Sequence, residues 1–190
     1  MKPITREELL DLGAYEAIRE RYLRSVIERK KVRYVKLGEN MMALFENRDT
    51  VLLQIQEMLR TERITQEAAI AHELETYNAL VPGERELSVT LFIEYSDRDE
   101  RERMLVALAG LEDRFRVRVG DELVAVIPDS RGSDDTRTMA VQYLKFPMSE
   151  AAFAAFQNGA PVSLEVEHPA YSASTILPAV TLKSLHDDFA

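Results

Sequence analysis

Apolar residues in the first half of the chain recur at helical spacing. The clearest run predicts an amphipathic helix over residues 49–64, with an apolar side chain every three or four positions. The same spacing predicts a helix over residues 15–31 and another from Thr65 to about residue 80, where Val81-Pro82-Gly83 ends it. Shorter helices are predicted after Asp97, over residues 149–157 and around Leu182 and Leu185.

Strand patterns dominate the second half. Strands are predicted at residues 32–37, 41–45, 87–95, 115–119, 123–127, 140–146 and 162–168. The first two flank Gly38-Glu39-Asn40 and predict a hairpin, and residues 87–95 alternate apolar and polar side chains as a half-buried strand does. Residues 123–127 are apolar on both faces, which predicts a central strand.

This order of elements predicts one α+β domain over residues 1–190. Residues 1–82 are mainly helical with a short hairpin, and residues 84–190 form mainly an antiparallel sheet with short helices. We expect a sheet of about five strands with the helix-rich N-terminal half packed on one face. The polar residues 129–136 predict a loop, the segment expected to be most mobile.

Composition narrows the class of protein. Apolar residues make up 46% of the chain and charged residues 30%, as in a soluble globular protein. We see neither an apolar run near the roughly 20 residues of a membrane helix nor a stretch like a signal peptide, so a cytoplasmic protein is expected. Cysteine is absent, which excludes disulfides, thiol catalysis and cysteine-held iron–sulfur clusters. Any metal site would therefore be built mainly from carboxylates.

Charge is distributed unevenly. The net charge of −9 argues against general nucleic-acid binding, yet residues 19–36 hold eight basic side chains against Glu20 and Glu28. Such a run could bind a polyanion or an acidic partner. The favoured interpretation is a solvated helix face that pairs with neighbouring acids.

Two acidic residues are candidates for an inward-facing site. Glu62 follows Met58 by four residues and Ile55 by seven, so helical spacing directs it toward the apolar stripe. Glu67 leans in the same way on the next predicted helix. Two inward carboxylates could hold a metal or form an acid/base pair. The alternative, which we favour, is that both lie at helix ends in contact with water.

Other candidates each have a structural alternative. His168 could ligate a metal or move a proton beside Tyr171, or it could bond to backbone at a strand end. Gln54, Glu57 and Arg60 could build a binding surface, although Glu57 and Arg60 are also spaced as an ordinary helical ion pair. A possible anion-binding row consists of Arg114, Arg116 and Arg118. Pairing of this row with Glu165 and Glu167 across a sheet is favoured.

Several segments resemble an uncharacterised bacterial family, the domain of unknown function 3501. They are residues 1–10, 53–60, 62–64, 93–95 and 168–171, so the resemblance covers nearly the whole chain. The family has no established activity to transfer. Its members are often encoded beside a rubrerythrin-like protein and an iron–sulfur oxidoreductase, so the resemblance implies an association with redox or stress metabolism.

Two functions follow as hypotheses. The first is a non-catalytic accessory or interaction protein in bacterial redox metabolism, with a rubrerythrin-like or iron–sulfur oxidoreductase partner. The second is a carboxylate-based metal- or small-ligand-binding protein or enzyme that uses Glu62, Glu67 and His168. The sequence holds no phosphate-binding loop, zinc-protease motif or nucleophile elbow. A homodimer formed through the helix-rich half is a further expectation.

Overall fold

The computed structural model describes residues 1–128 and 136–189. All of the predicted loop except Thr136 lies outside these residues. Within them the α-helices are α1 (Leu12–Lys31), α2 (Arg48–Thr61), α3 (Glu67–Asn78), α4 (Arg98–Ala107), α5 (Glu150–Gln157) and α6 (Ala179–Asp187). Single 3₁₀ turns occupy Arg6–Glu8 and Leu111–Arg114. The strands are β1 (Tyr34–Leu37), β2 (Met41–Glu46), β3 (Glu86–Ile93), β4 (Phe115–Val119), β5 (Glu122–Ala125), β6 (Ile127–Pro128), β7 (Val141–Pro147), β8 (Val162–His168) and β9 (Tyr171–Ile176).

Four helices begin where the sequence supplies a capping side chain. Asp11, Asn47, Asp97 and Ser149 each accept a hydrogen bond from the backbone N–H three residues further on. Helix α1, capped by Asp11, starts at Leu12, three residues before the predicted start, and Gly13 lies in its first turn.

The strands form two antiparallel sheets. The order is β1-β2-β3-β7-β6 in the five-stranded sheet and β5-β4-β8-β9 in the four-stranded sheet. The α+β class and the five-stranded sheet are confirmed, whereas the second sheet was not predicted. The two sheets join into a barrel-like shape: β5 continues through Val126 into β6, and β9 lies beside β1, where the Thr175 hydroxyl donates to the Lys36 carbonyl over 2.9 Å.

Two apolar clusters hold this arrangement together. The larger lies between the sheets, where inward residues such as Phe45, Leu91, Val117 and Leu164 are fully buried. Burying side chains of this kind contributes roughly 1.5–3 kcal/mol each. The smaller joins α2, α3 and the N-terminal segment, and Tyr143 of β7 packs against it. The helix-rich half therefore covers the outer face of the five-stranded sheet, as predicted.

Three predicted details were wrong or missed. Residues 123–127 are not a central strand: β5 is an edge strand, and Leu123 and Ile127 are exposed, so only one face of this run is covered. The helix predicted over residues 49–64 ends at Thr61. Strand β9 was not predicted, because its small polar residues give no clear alternation.

Candidate functional site

Helix α1 is long but has little buried surface. Only Tyr15 and Val26 of its 20 residues are buried, and its packing partner is α2. Its last turn leads directly into β1. The cation-rich end of α1 lies near the start of α2 and of α6. The helix thus forms one wall of the concave surface described next.

A cavity of about 370 Å³ opens between α1, the β2–α2 junction and α6. We call it the α1–α6 groove and define it by Val26, Arg29, Val32, Asp49, Val180 and Lys183. Its apolar side chains are the three valines. The other nine lining residues are polar or charged, and the volume is within the size range of binding sites in proteins.

The groove wall is held by Arg33, a fully buried arginine with 1% of its surface exposed. Its Nε donates to the Phe45 carbonyl over 2.6 Å, and one terminal nitrogen donates to the Ser184 hydroxyl over 2.9 Å. The other terminal nitrogen donates over 2.6 Å to Asp188, which also accepts a hydrogen bond from Asn47. Because a buried charge is costly unless it is paired, these contacts fix α6 against β1 and β2.

Burial dominates the electrostatics of Asp188. Loss of water raises the pKa of its carboxyl above the ordinary value, and the nearby Arg33 guanidinium and Asn47 amide act in the opposite direction. All the nitrogens of Arg33 are engaged with protein acceptors. Arg33 therefore serves to position α6.

The charged residues of the groove lining are balanced, with three cations against three carboxylates. Arg29 pairs with Asp49, and Lys183 pairs with Asp187 over 3.0 Å. Lys30 lies 5.9 Å from the centre of the Tyr34 ring. Lys30 and Lys36 form no ion pair among the described residues. Residues 29–36 beside the groove hold five basic side chains and no acidic one, so a positive segment borders the groove on a chain of net charge −9.

Glu57 of the predicted surface lies at the centre of a network between α1 and α2. It accepts hydrogen bonds from the Tyr15 hydroxyl over 2.5 Å and from Arg19 over 2.8 Å, and Arg60 lies 3.5 Å away. The Arg19 hydrogen bond lowers the pKa of Glu57 to about 2, with Tyr15 and the charges of Arg19 and Arg60 adding to the effect against burial. Burial and the Glu57 carboxylate raise the pKa of Tyr15. Gln54 lies beside Tyr77 and outside this network, which stabilises the helix pair.

Glu62 does not point into the core. It is exposed at the C-terminal cap of α2, where Arg63 adopts a left-handed φ of 52° and the Ile64 N–H bonds back to the Leu59 carbonyl over 2.9 Å. This closing turn takes Glu62 off the apolar stripe. Glu67 is also exposed and pairs with Arg6 over 2.8 Å. The favoured alternative of helix-end carboxylates in water agrees with the structure.

His168 and Tyr171 both bond to backbone. His168 Nε2 lies 3.2 Å from the Ala109 carbonyl, and its Nδ1 accepts a hydrogen bond from the Ala170 N–H. The Tyr171 hydroxyl donates to the Leu37 carbonyl over 2.7 Å and accepts from the Asn40 N–H. Tyr171 therefore bridges β9 and the β1–β2 hairpin.

The arginine row pairs across the second sheet. Arg118 bonds to Glu165 over 2.9 Å, and Arg116 bonds to Glu167 over 3.3 Å, as favoured from the sequence. Arg114 lies before the strand, at the end of a 3₁₀ turn.

Glu62, Glu67 and His168 are not brought together as a metal site. Residues 1–128 and 136–189 contain no group of three or more histidine, aspartate or glutamate side chains placed to hold a metal ion. A role for any of these three residues in ligand binding stays a prediction. No helix in the same part of the chain has the length and apolar character needed to span a bilayer.

The groove residues Arg33, Asn47, Ser184 and Asp188 were not identified from the sequence. Arg33 was one cation in a basic run, with nothing to distinguish it from its exposed neighbours. Its partner Asp188 is 155 residues away. An arginine placed just before an apolar strand was the one available signal.

Comparisons with known proteins agree with the fold. A family model described as "Protein of unknown function (DUF3501)" matches residues 3–189. A crystal structure of a novel protein of unknown function from Burkholderia pseudomallei K96243 is 38% identical, with a TM-score of 0.92, and the match covers 98% of this chain and 99% of that one. No curated protein matches this chain.

Proposed function

Because the chain belongs to the DUF3501 family, whose description assigns no activity, we propose from its geometry that it is a non-catalytic interaction protein. The α1–α6 groove would dock an acidic partner protein. One observation carries the proposal: a concave groove with three valines in its lining is bordered by residues 29–36, which hold five basic side chains and no acidic one on a chain of net charge −9.

Exposed apolar residues favour a protein partner. Val180 of the groove is 53% exposed, and Ile176 and Tyr34 are exposed close to it in the fold, where β9 lies beside β1. An apolar surface with a polar rim is typical of a protein interaction site. Docking would remove these side chains from water.

Charge favours an acidic partner. The groove lining itself is balanced, with three cations against three carboxylates, but residues 29–36 beside it hold five basic side chains and no acidic one. Opposite potentials on two proteins accelerate association and select the partner. We therefore expect binding to weaken as salt is added.

The family resemblance suggests which partners to test first. A rubrerythrin-like protein or an iron–sulfur oxidoreductase would place this protein in bacterial redox or stress metabolism as an accessory. This assignment rests on the family association, whereas the docking site rests on the groove.

The test uses two matched baits. Val180→Asp places a carboxylate in the first turn of α6, where the helix dipole tolerates it, and Val106→Asp alters a valine of similar exposure on α4. Native protein and both variants are used to capture proteins from a lysate of the source bacterium, with quantification by mass spectrometry. We expect an acidic protein that the native and Val106→Asp baits retain and that Val180→Asp loses at least tenfold. The proposal is wrong if every captured protein binds the Val180→Asp bait as well as the native one.

A further inference from the structure

A second pocket lies between α1, α2 and the segment that precedes α1. Its volume is about 180 Å³, and none of the described residues lines both it and the α1–α6 groove. We call it the α1–α2 pocket and define it by Glu8, Leu10, Tyr15, Ile18, Tyr22, Leu52 and Gln56. An apolar cavity of about 150 Å³ is large enough to hold a benzene ring, so this pocket has room for one ring.

Helical spacing places the apolar walls of the α1–α2 pocket. Tyr15, Ile18 and Tyr22 are separated by three and four residues, so they lie on one face of α1. Leu10 and Leu52 complete the apolar lining. The Tyr15 and Tyr22 rings meet edge to face, with centroids 6.1 Å apart. Because aromatic rings prefer such arrangements, these walls favour an aromatic ring in the pocket over an aliphatic one.

The polar groups of the lining are largely bonded within the chain. The Gln56 amide bonds to both backbone groups of Leu10, each over 3.0 Å. The Glu8 carboxylate accepts hydrogen bonds from Arg48 over 2.6 Å and from the Thr5 N–H over 2.9 Å. An ionic ligand would therefore lose water without meeting a counter-charge that is free to pair with it, which is costly. The pocket favours a neutral ligand.

The two tyrosine hydroxyls of the pocket differ. The Tyr15 hydroxyl donates to Glu57 over 2.5 Å, whereas that of Tyr22 has no hydrogen-bond partner within the described part of the chain. Burial and the Asp49 carboxylate raise the pKa of Tyr22, with Arg29 acting against them, so this phenol is protonated at neutral pH. The Tyr22 hydroxyl can therefore donate a hydrogen bond to a ligand or accept one.

We propose that the α1–α2 pocket binds a neutral molecule that has one aromatic ring and a hydroxyl group, the chemistry of a simple phenol. The ring packs among Tyr15, Ile18 and Leu52, and the hydroxyl bonds to Tyr22. Burial of the ring removes apolar surface from water, and the hydrogen bond favours a phenol over the corresponding hydrocarbon. The inference does not depend on the proposed function, because different residues line the two sites.

The experiment uses fluorine NMR of three probes with the full chain. The probes are 4-fluorophenol, fluorobenzene, which lacks the hydroxyl, and 4-fluorobenzoate, which carries a charge. We expect 4-fluorophenol to bind with a dissociation constant of about 1 mM. Fluorobenzene should bind about threefold more weakly, and 4-fluorobenzoate at least tenfold more weakly. Changes in the amide signals of Tyr15, Ile18 and Leu52 in nitrogen-15 spectra should place 4-fluorophenol in the pocket.

Four variants assign the contacts. Tyr22→Phe removes only the hydroxyl, so it should weaken binding of 4-fluorophenol about three- to tenfold and leave fluorobenzene unchanged. Ile18→Trp fills the pocket and should weaken both probes at least tenfold. Its control is Ile27→Trp, because Ile27 is 43% exposed on the same helix and does not line the pocket. Ile27→Trp and the groove variant Val180→Asp should both bind 4-fluorophenol as the native protein does.

Three results would overturn the inference. One is that 4-fluorophenol at about 20 mM, twenty times the expected dissociation constant, shifts no amide signal of the pocket. Another is that 4-fluorobenzoate binds as tightly as 4-fluorophenol. The third is that Ile18→Trp binds 4-fluorophenol as well as the native protein does, since the probe then lies elsewhere. If Tyr22→Phe binds both neutral probes like the native protein, the assignment of Tyr22 as the hydrogen-bond partner is wrong.

Discussion

The carboxylate of Glu57 is surrounded by donors from two helices. With three quarters of its side-chain surface buried between Arg19, Arg60 and Tyr15, it is held in its ionised form. A folded-state pKa below the unfolded value means that the carboxylate stabilises the fold above pH 4.5 and loses this effect as the pH falls through about 2.

Glu57→Gln should therefore lower the free energy of unfolding at neutral pH. We expect a loss of about 2 kcal/mol, less than the full pKa shift corresponds to because part of the side chain contacts water. The difference from the native protein should shrink as the pH falls from about 4.5 toward 2. Urea unfolding at several pH values measures it. Glu62→Gln, at an exposed position of the same helix end, should change stability by less than about 0.5 kcal/mol. A loss that does not vary with pH would mean that the Glu57 charge has no part in it.

At the scale of single elements, the end of α2 depends on one unfavourable backbone angle. Arg63 has a φ of 52°, a conformation that glycine adopts without the steric cost that arginine meets. The capping hydrogen bonds made by the N–H groups of Arg63 and Ile64 involve backbone atoms alone and would survive a change of side chain.

Arg63→Gly should therefore stabilise the protein by about 0.5–1 kcal/mol in chemical denaturation. The neighbouring Glu62→Gly is the matched control, because Glu62 has a φ of −87° and gains nothing from glycine. We expect this variant to lose a similar amount through the greater freedom of the unfolded chain. If both variants lose stability, Arg63 makes a contribution beyond the turn.

The elements that the sequence predicted well are those whose pattern is set locally. The apolar spacing around Ile55 and the alternation through Val89 are sufficient to place α2 and β3. Strand β9 escaped prediction because Ser172 and Ser174 look like loop residues until β8 pairs with them. The central position predicted for residues 123–127 failed because the number of neighbours of a strand is decided by distant segments.

The same distinction applies to the candidate site. The basic run that borders the groove was visible in the sequence. The sequence did not show which of those cations is buried, because the burial of Arg33 depends on Ser184 and Asp188, which are distant in sequence. Glu62 was directed toward the stripe by its spacing, but the backbone reversal at Arg63 lies outside any periodic pattern.

At the scale of the whole molecule, side chains connect β1 and β9, the neighbouring edge strands of the two sheets. We call this junction the seam. Tyr171 reaches the hairpin at Gly38, whose φ is +69° and where an added Cβ would lie 2.3 Å from the Tyr171 hydroxyl oxygen. Thr175 makes the other contact described across this seam. The seam joins the two sheets at the edge opposite β5 and β6.

Gly38→Ala should cost more stability than the backbone angle alone explains. Gly159 has a similar φ of +80° with nothing near its missing side chain, so Gly159→Ala measures the conformational cost, about 1 kcal/mol. We expect Gly38→Ala to lose about 2–3 kcal/mol, since Tyr171 must also give up its hydrogen bonds. Urea denaturation of the two variants provides the comparison. Equal losses would show that the Tyr171 bridge contributes nothing to closing the barrel.

The Arg33–Asp188 pair has a consequence for folding during synthesis of the chain. The two residues are 155 positions apart. A ribosome adding about 5–20 residues per second therefore incorporates Arg33 roughly 8–30 s before Asp188. During that interval the β1–β2 hairpin cannot bury its guanidinium against the carboxylate that later neutralises it. The packing of the β1–β2 hairpin around Arg33 is therefore completed only when α6 brings Asp188 to it.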